Sequence, residues 1–210
     1  VSATGNITPQ NVYNLTPKTA AKVLEVKVRS GDPVKKGDTL ARLDDTDLQA
    51  AVKASQYAFN AAVYARDKLK ALPIVDDYSV KQAQQQINST SVQLETAKRN
   101  LNNALIIAPI DGQVLAVNIK VDEYVSPQAL IPAVIVGDTN EYFAFVNVNE
   151  VDINKIKVDQ KASLEIDAVG TPLVGKVIFI EPNGVNITGI IYYKVKISVA
   201  DQTGLKANMS

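Results

Sequence analysis

Two segments of the chain alternate hydrophobic and polar residues with the period of a half-buried β-strand. Residues 23–34 read VLEVKVRSGDPV and residues 114–125 read VLAVNIKVDEYV, so the same hydrophobic positions recur at a constant offset. The correspondence continues past these segments, where Leu40 aligns with Ile131. Two unrelated hairpins are the alternative, but matched spacing at this many positions favours two halves of one β module.

Between the two copies the hydrophobic period lengthens to about three and a half residues, the period of a coiled-coil seam. The first predicted seam is Ala51, Ala54, Ala58, Ala61, Ala65, Lys68 and Leu72. The second is Val80, Ala83, Ile87, Thr90, Leu94, Ala97, Leu101 and Ala104. We expect the first helix to begin between Asp44 and Asp47 and to end before Pro73, and Ser79 to cap the second. The pattern predicts an antiparallel helical hairpin over residues 45–105.

Residues 138–210 return to the alternation of β-strands, with Gly, Pro and Asn between the runs. The predicted strands are Tyr142–Val148, Lys161–Asp167, Leu173–Ile180 and Ile190–Val199, with a short helix near Glu150–Ile156. With residues 1–15 they are predicted to form a small β-barrel. The expected fold is therefore mixed and mainly β: a split β module of residues 16–44 and 106–137, the helical hairpin, and the barrel.

Composition narrows the chemistry available to this chain. It has no His and no Cys, which excludes imidazole catalysis, thiol nucleophiles, disulfides and nearly all zinc, haem or iron–sulfur sites. Lys plus Arg and Asp plus Glu number 22 each and there is no Trp, so nothing indicates nucleic-acid binding. The pairs Asp44-Asp45 and Asp76-Asp77 fall at helix starts, where Asp is expected. We predict a non-enzymatic protein with no cofactor and no metal.

Two stretches resemble biotinyl and lipoyl carrier modules: Gly31–Ala41, which reads GDPVKKGDTLA, and Ala108–Val114, which reads APIDGQV. In carriers the two halves meet at a tight hairpin that bears the modified lysine, and here the helical insertion takes that place. A lipoyl-like module split by a coiled coil and followed by a β-barrel resembles the periplasmic adaptor, or membrane fusion protein, family of tripartite efflux and secretion systems. Asn149–Ile153 looks like a family segment. Gly175–Val177 and Tyr193–Val195 look closer to MacA-like adaptors coupled to ABC transporters.

The resemblance implies a function and a set of partners. Adaptors of this family bridge an inner-membrane transporter, of the ABC or the proton-driven RND type, and a TolC-type outer-membrane channel. Several copies pack side by side into a ring, which the resemblance implies to be a hexamer. We expect the protein in the periplasm, held at the inner membrane by a segment outside these residues. The transported substrate is not encoded in the sequence.

The tip of the hairpin carries the candidate site. Adaptors that dock onto TolC-type channels often show Arg, then Leu four residues on, then Ser seven later, and Lys68, Leu72 and Ser79 have that spacing. The resemblance implies that the cation and the hydroxyl contact polar groups on the channel while Leu72 fills a groove, so we expect Leu72 to be exposed. Two other functions stay open: an envelope scaffold without an outer-membrane partner, and a lipoyl- or biotinyl-type carrier domain.

Overall fold

The computed structural model describes residues 1–74, 76–166, 172–201, 204–207 and 209. The first part of the chain forms β1 (Thr4–Pro9), β2 (Val12–Leu15), β3 (Ala21–Val26), β4 (Pro33–Val34) and β5 (Thr39–Leu43). Two long helices follow, α1 (Thr46–Lys70) and α2 (Asp77–Asn103). The chain then forms β6 (Leu105–Ile107), β7 (Gly112–Val117), β8 (Tyr124–Val125), β9 (Val134–Gly137), β10 (Tyr142–Asn149) and α3 (Glu150–Ile153). The last strands are β11 (Lys161–Leu164), β12 (Leu173–Ile180), β13 (Val185–Ile187) and β14 (Ile190–Val199). This is the expected mainly-β fold with a helical hairpin.

Helices α1 and α2 form a hairpin inserted between β5 and β6. Helix α1 begins at Thr46, inside the predicted interval, because the acidic residues there suit the positive end of the helix dipole. The seam of α2 is the predicted one, and its most deeply buried members are Ile87, Thr90 and Leu94. Thr90 is tolerated there because its hydroxyl donates back to the carbonyl of Gln86 at 2.9 Å. No helix in the described part of the chain is long and apolar enough to span a membrane.

The seam of α1 lies one residue later than predicted. The buried and half-buried residues with coiled-coil spacing are Val52, Ser55, Phe59, Ala62, Arg66 and Leu69. All seven residues of the predicted seam, Ala51, Ala54, Ala58, Ala61, Ala65, Lys68 and Leu72, are exposed instead. The prediction is wrong because the true seam includes polar Ser55 and Arg66, whereas alanines fit either face of a helix. Arg66 is accommodated by a hydrogen bond from its Nη1 to Gln84 Oε1 of α2 at 3.3 Å.

The β module consists of two four-stranded antiparallel sheets, each built from both sequence copies. One sheet has the order β6-β5-β3-β8 and the other β2-β9-β7-β4. Strand β3 of the first copy pairs with β8 of the second, and β4 of the first pairs with β7 of the second. Val23, Leu43, Val114 and Val134 from the two copies are fully buried in one hydrophobic cluster. On these contacts we propose that residues 16–44 and 106–137 form a single β module.

The two copies also share the same turn. The backbone N–H of Arg29 donates to the carboxylate three residues on at 2.8 Å, and that of Lys120 does the same at 2.9 Å. The left-handed residue of the turn is Gly31 in the first copy, with φ 97°, and Asp122 in the second, with φ 72°. Asp tolerates this region better than most side chains, and its carboxylate pairs with Lys22 at 2.7 Å. The repeat seen in the sequence is therefore a repeat of structure.

Two details of the module depart from the sequence expectations. Ile131 is 67% exposed although it aligns with the fully buried Leu40 of β5, because the corresponding strand β9 begins only at Val134. Strand β2 belongs to the module rather than to the barrel, since it pairs with β9. In its sheet β2 occupies the place that β6 occupies in the other sheet, and Leu15 packs on the module core.

The remaining strands form a third sheet in the order β1-β10-β14-β12-β11, with β13 paired to β14. Among the described residues this sheet is open, like half of a barrel. The bounds of β12 and β14 are as predicted, and α3 is three residues shorter than expected. Strand β11 ends at Leu164, and Asp167, the predicted strand end, lies outside the described residues. Strand β13 was not predicted, because three residues among Asn and Gly give little periodic signal.

Candidate functional site at the hairpin tip

The tip is the short turn that joins α1 to α2. Helix α1 is capped by Ala71, and Pro73 has no N–H with which to continue the helix. Helix α2 is capped by Asp76, whose backbone is extended and whose carboxylate accepts the N–H of Ser79 at 2.9 Å. The two caps fix where α1 ends and where α2 begins, and the described residues between them are exposed. Val75 lies outside the described residues.

Ser79 is not the cap that the sequence predicted. It is the third residue of α2, and both its N–H and its hydroxyl donate to the carboxylate of Asp76. These bonds, the hydroxyl first and the backbone N–H second, hold the pKa of the Asp76 carboxyl below its usual value. The hydroxyl proton of Ser79 is thus already used. Ser79 can therefore contact a partner only as a hydrogen-bond acceptor, through the lone pairs of its hydroxyl oxygen.

Lys68 and Leu72 both face solvent. Leu72 is 49% exposed, as expected for a residue beyond the last turn of α1, and Lys68 is exposed on that turn. Both lie off the true seam, so neither is required to hold α1 against α2. Within the described residues no hydrogen bond or ion pair joins Lys68, Leu72 and Ser79 to one another. Their exposure leaves Lys68 and Leu72 free for contact with a partner.

Two further exposed apolar residues lie at the tip, and the sequence motif did not include them. Ile74 is 92% exposed and Tyr78 is 70% exposed. With Leu72 and Pro73 they form a surface that we call the tip patch. The signal that could have revealed it was the run of apolar residues in a turn, where polar residues are the rule. Clustered exposed apolar side chains are typical of protein-interaction sites.

Charged residues surround the tip patch. Lys68 and Lys70 lie in the last turn of α1, where cations oppose the negative end of the helix dipole. Asp76 and Asp77 lie at the start of α2, where anions oppose the positive end. The patch therefore has a cationic edge and an anionic edge. An apolar centre with a polar rim is the usual anatomy of a protein interface.

An uncharged groove of about 700 Å³ adjoins the tip. Its lining residues are Leu69, Ser79, Gln82, Ala83, Gln85, Gln86 and Ser89. Three of these side chains are glutamine amides, which both donate and accept hydrogen bonds. The groove can therefore satisfy backbone groups of either polarity without placing a charge in the contact.

The outer face of α1 carries the alanines that the sequence placed in the seam. Tyr57 and Tyr64, each 72% exposed, lie on the same surface as these alanines. The stretch of this face from Ala51 to Ala65 carries only Ala and Tyr side chains, and Lys68 continues it towards the tip. The hairpin thus presents two different exposed faces, an alanine–tyrosine one on α1 and a glutamine-rich one on α2.

Comparison with known families identifies the module. A family model described as "CzcB-like, barrel-sandwich hybrid domain" matches residues 11–135. The chain belongs to the CzcB-like barrel-sandwich hybrid family. The matched region covers both four-stranded sheets and the hairpin between them. The resemblance to membrane fusion proteins that the sequence suggested is confirmed, since the similar proteins are export, membrane fusion and periplasmic adaptor proteins by name.

Individual proteins resemble the chain over nearly its whole length. It is 23% identical over 240 residues to the macrolide export protein MacA of Escherichia coli O157:H7, covering 98% of the chain and 64% of that protein. The MacA–MexA chimeric protein, which contains the Pseudomonas aeruginosa MexA α-hairpin domain, has a TM-score of 0.89 at 24% identity, covering all of this chain and 78% of that one. The membrane fusion protein Spr0693 of Streptococcus pneumoniae R6 has a TM-score of 0.73 at 21% identity, covering 100% of this chain and 96% of that one. The chain spans about half the length of the first curated relatives that it matches.

Proposed function

We propose that this protein is a non-enzymatic periplasmic adaptor that links an inner-membrane transporter to a TolC-type outer-membrane channel. The observation that carries the proposal is the hairpin with its exposed apolar tip patch. Its helices have 25 and 27 residues, so at 1.5 Å per residue the hairpin is roughly 40 Å long. That length carries the tip patch well away from the β module, where a distant partner can meet it.

Docking at the tip follows from the chemistry of the exposed groups. Leu72, Ile74 and Tyr78 lose water on contact, and full burial of one large apolar side chain contributes about 1.5–3 kcal/mol. Lys68 offers a cation to carbonyl oxygens at the ends of the channel's helices, and the Ser79 oxygen accepts from their N–H groups. Lys68→Arg is expected to be neutral or favourable, because guanidinium forms a planar fork, and Lys68→Ala is expected to be mild.

Assembly of several copies into a ring is the second part of the proposal. A closed ring needs heterologous contacts, in which each copy presents two different faces. The exposed alanine–tyrosine face of α1 and the glutamine-rich face of α2 are two such faces, and the stretch from Ala51 to Ala65 would bury no charge on contact. Six copies are what the family resemblance implies.

The inner-membrane partner is proposed to be an ABC transporter. The support is the resemblance of Gly175–Val177 and Tyr193–Val195 to MacA-like adaptors, together with the similarity to MacA over 98% of the chain. An RND-type partner is the alternative. The neighbouring genes would separate the two: a transporter ATPase would support the ABC partner and a proton-driven pump would support the RND partner.

The experiment that tests docking is complementation of efflux or secretion in a deletion strain by Leu72→Asp. We expect transport to be lost while the melting temperature is almost unchanged, because the new charge would be desolvated without a partner only on docking. Leu69→Asp is the matched control: Leu69 is half-buried in the true seam, so this variant should lower the melting temperature. Full transport by Leu72→Asp would remove the tip from the mechanism.

A scaffold for a transporter without an outer-membrane partner is the second candidate function. We retain this candidate function because the chain has the fold of a membrane fusion protein of Streptococcus pneumoniae R6. Under that function Leu72→Asp would be silent in transport, whereas ring formation would still be required. A carrier role is the weakest candidate, since two long helices occupy the place of the carrier's lysine turn. An intact mass with no lipoyl or biotinyl adduct would count against it.

A further inference from the structure

The hairpin of β13 and β14 concentrates exposed apolar side chains at the end of the half-barrel. Val185 is 55% exposed, Ile187 42%, Ile190 44% and Ile191 37%. Val185 pairs with Tyr192 and Ile187 pairs with Ile190, so the side chains of these two pairs lie on one face of the hairpin. Ile191 lies on the opposite face. One face of the hairpin end is therefore apolar, and the other pairs Ile191 with Asn186.

No other strand of the described sheet covers this end of the hairpin. Pairing of β14 with β10 begins at Tyr192, and β13 pairs with β14 alone. The residues from Ile187 to Ile191 thus lie beyond the last pairing of β14 with β10, whereas Val185 lies level with it because its partner Tyr192 pairs with Asn149. The apolar side chains at this end therefore lie outside the hydrophobic core of the sheet.

Two hydrogen bonds are made within the turn of this hairpin. Thr188 and Gly189 both have positive φ, 52° and 88°, which is the geometry of the tight I′ turn that suits β-hairpins. The side-chain oxygen of Asn186 accepts the N–H of Gly189 at 2.9 Å, and the hydroxyl of Thr188 donates to the carbonyl of Ile187 at 2.8 Å. These two bonds reduce the cost of moving the turn out of water.

Charge is distributed along the hairpin in a definite order. Residues 182–193 contain no charged residue, and Tyr192 and Tyr193 end this stretch. Lys194 and Lys196 come next, and neither forms an ion pair in the described part of the chain. Their ammonium groups lie on aromatic rings instead: Lys196 Nζ is 3.8 Å from the ring centre of Phe143, and Lys194 Nζ is 4.9 Å from that of Phe145.

The same order, apolar then tyrosine then cation, follows the depth profile of a lipid bilayer. Acyl chains take apolar groups, the interface takes tyrosine, and anionic headgroups take lysine. At about 3.3 Å per residue, Lys194 lies roughly 13 Å along the strand from Ile190. That spacing fits a hairpin whose end lies about 5–10 Å into the boundary between headgroups and acyl chains.

We propose that the β13–β14 hairpin is a lipid-contact element that inserts its apolar end into the surface of an anionic bilayer. Ile187 and Ile190 enter the acyl boundary, the two tyrosines lie at the interface, and Lys194 and Lys196 contact lipid phosphates. A second copy of this chain as the occupant is a different outcome of the test below. The lipid-contact role is independent of the tip patch and of the channel that we propose for it.

The absence of Trp from the chain makes a single-tryptophan reporter possible. Ile187→Trp is mixed with vesicles of phosphatidylglycerol and phosphatidylcholine, and with vesicles of phosphatidylcholine alone. We expect a blue shift of emission with the anionic vesicles, together with quenching by lipids brominated on their acyl chains. Val174→Trp is the matched control, since Val174 is 62% exposed on β12 of the same sheet and should show neither effect.

Vesicle sedimentation then assigns the contributions. Lys194→Gln and Lys196→Gln are each expected to weaken binding to anionic vesicles about fivefold, and Ile190→Asp to weaken it at least as much. Lys161→Gln, an exposed lysine of β11, should have no effect, and Leu72→Asp should bind vesicles normally even if it fails in transport. Two results would overturn the proposal: no shift of Ile187→Trp with anionic vesicles, or a shift that depends on protein concentration without vesicles, which would assign the hairpin to a second copy.

Discussion

Two neighbouring substitutions, Ala61→Lys and Ala62→Lys, test the register of the α1 seam. Ala61 belongs to the seam predicted from sequence but is exposed, whereas Ala62 is 7% exposed. The bond between Arg66 and Gln84 sets the register of the two antiparallel helices and places Ala62 near Ile87. Lysine is nearly as good a helix former as alanine, so propensity changes little at either position.

The expected cost follows from the charge that Ala62→Lys places in the seam. An unpaired buried charge costs about 3–5 kcal/mol, and the long lysine stem lets the ammonium reach towards water, which reduces the cost to about 2–4 kcal/mol. The positions one turn away on α1 are Ala58, Phe59, Ala65 and Arg66, and the carboxylate of Asp67 is already paired with Arg66. Ala61→Lys changes a solvated position and should cost less than about 0.5 kcal/mol.

Thermal unfolding followed by circular dichroism at the helix band measures the difference. For a chain of this size about 1 kcal/mol corresponds to a shift of roughly 2–4 °C, so Ala62→Lys should melt about 5–15 °C lower. Ala61→Lys should melt within about 2 °C of the parent protein. Equal losses, or a greater loss for Ala61→Lys, would show that the alanine stripe is the seam after all.

Two further predictions concern the cap of α2 and the independence of the β module. Because hydrogen bonds from Ser79 lower the pKa of the Asp76 carboxyl, the cap is intact above about pH 4 and is lost as the pH falls through the lowered pKa. The Ser79 amide resonance should report this in a pH titration, and Asp76→Asn should keep the cap and abolish the titration; a midpoint at or above the ordinary Asp value would contradict the cap. Replacing Asp47–Asn103 by a short turn should leave the β module folded, because the seams bury mostly each other. Loss of strand signal and of amide dispersion in that variant would make the hairpin part of the core.

Periodicity predicted the elements well where a single face had to be buried. Strands β12 and β14 have the predicted bounds, and the α2 seam of Ile87, Thr90 and Leu94 is the predicted one. In each case large apolar residues repeat with one period and no other period fits. The α1 seam failed for the opposite reason. Alanine is accepted on either face, so the stripe of exposed alanines mimicked a seam while Ser55 and Arg66 occupied the real one.

The hairpin tip was predicted in place but not in chemistry. Exposure of Leu72 followed from Pro73, which ends the first helix. The role of Ser79 did not follow, because Asp76 and Ser79 both suit a helix start and only the backbone decides which is the cap. Ile74 was overlooked because residues in a turn belong to no periodic pattern.

Thiol labelling in cells can detect contact between the tip patch and an outer-membrane channel. The chain has no Cys, so Ile74→Cys gives a single reactive thiol at a position that is 92% exposed in the isolated protomer. Labelling by a maleimide reagent is compared in the parent cells and in cells from which the channel gene is deleted, with Val174→Cys as the control. We expect Ile74→Cys to be protected only when the channel is present and Val174→Cys to be labelled equally in both strains. Equal labelling of Ile74→Cys in the two strains would contradict docking through the tip.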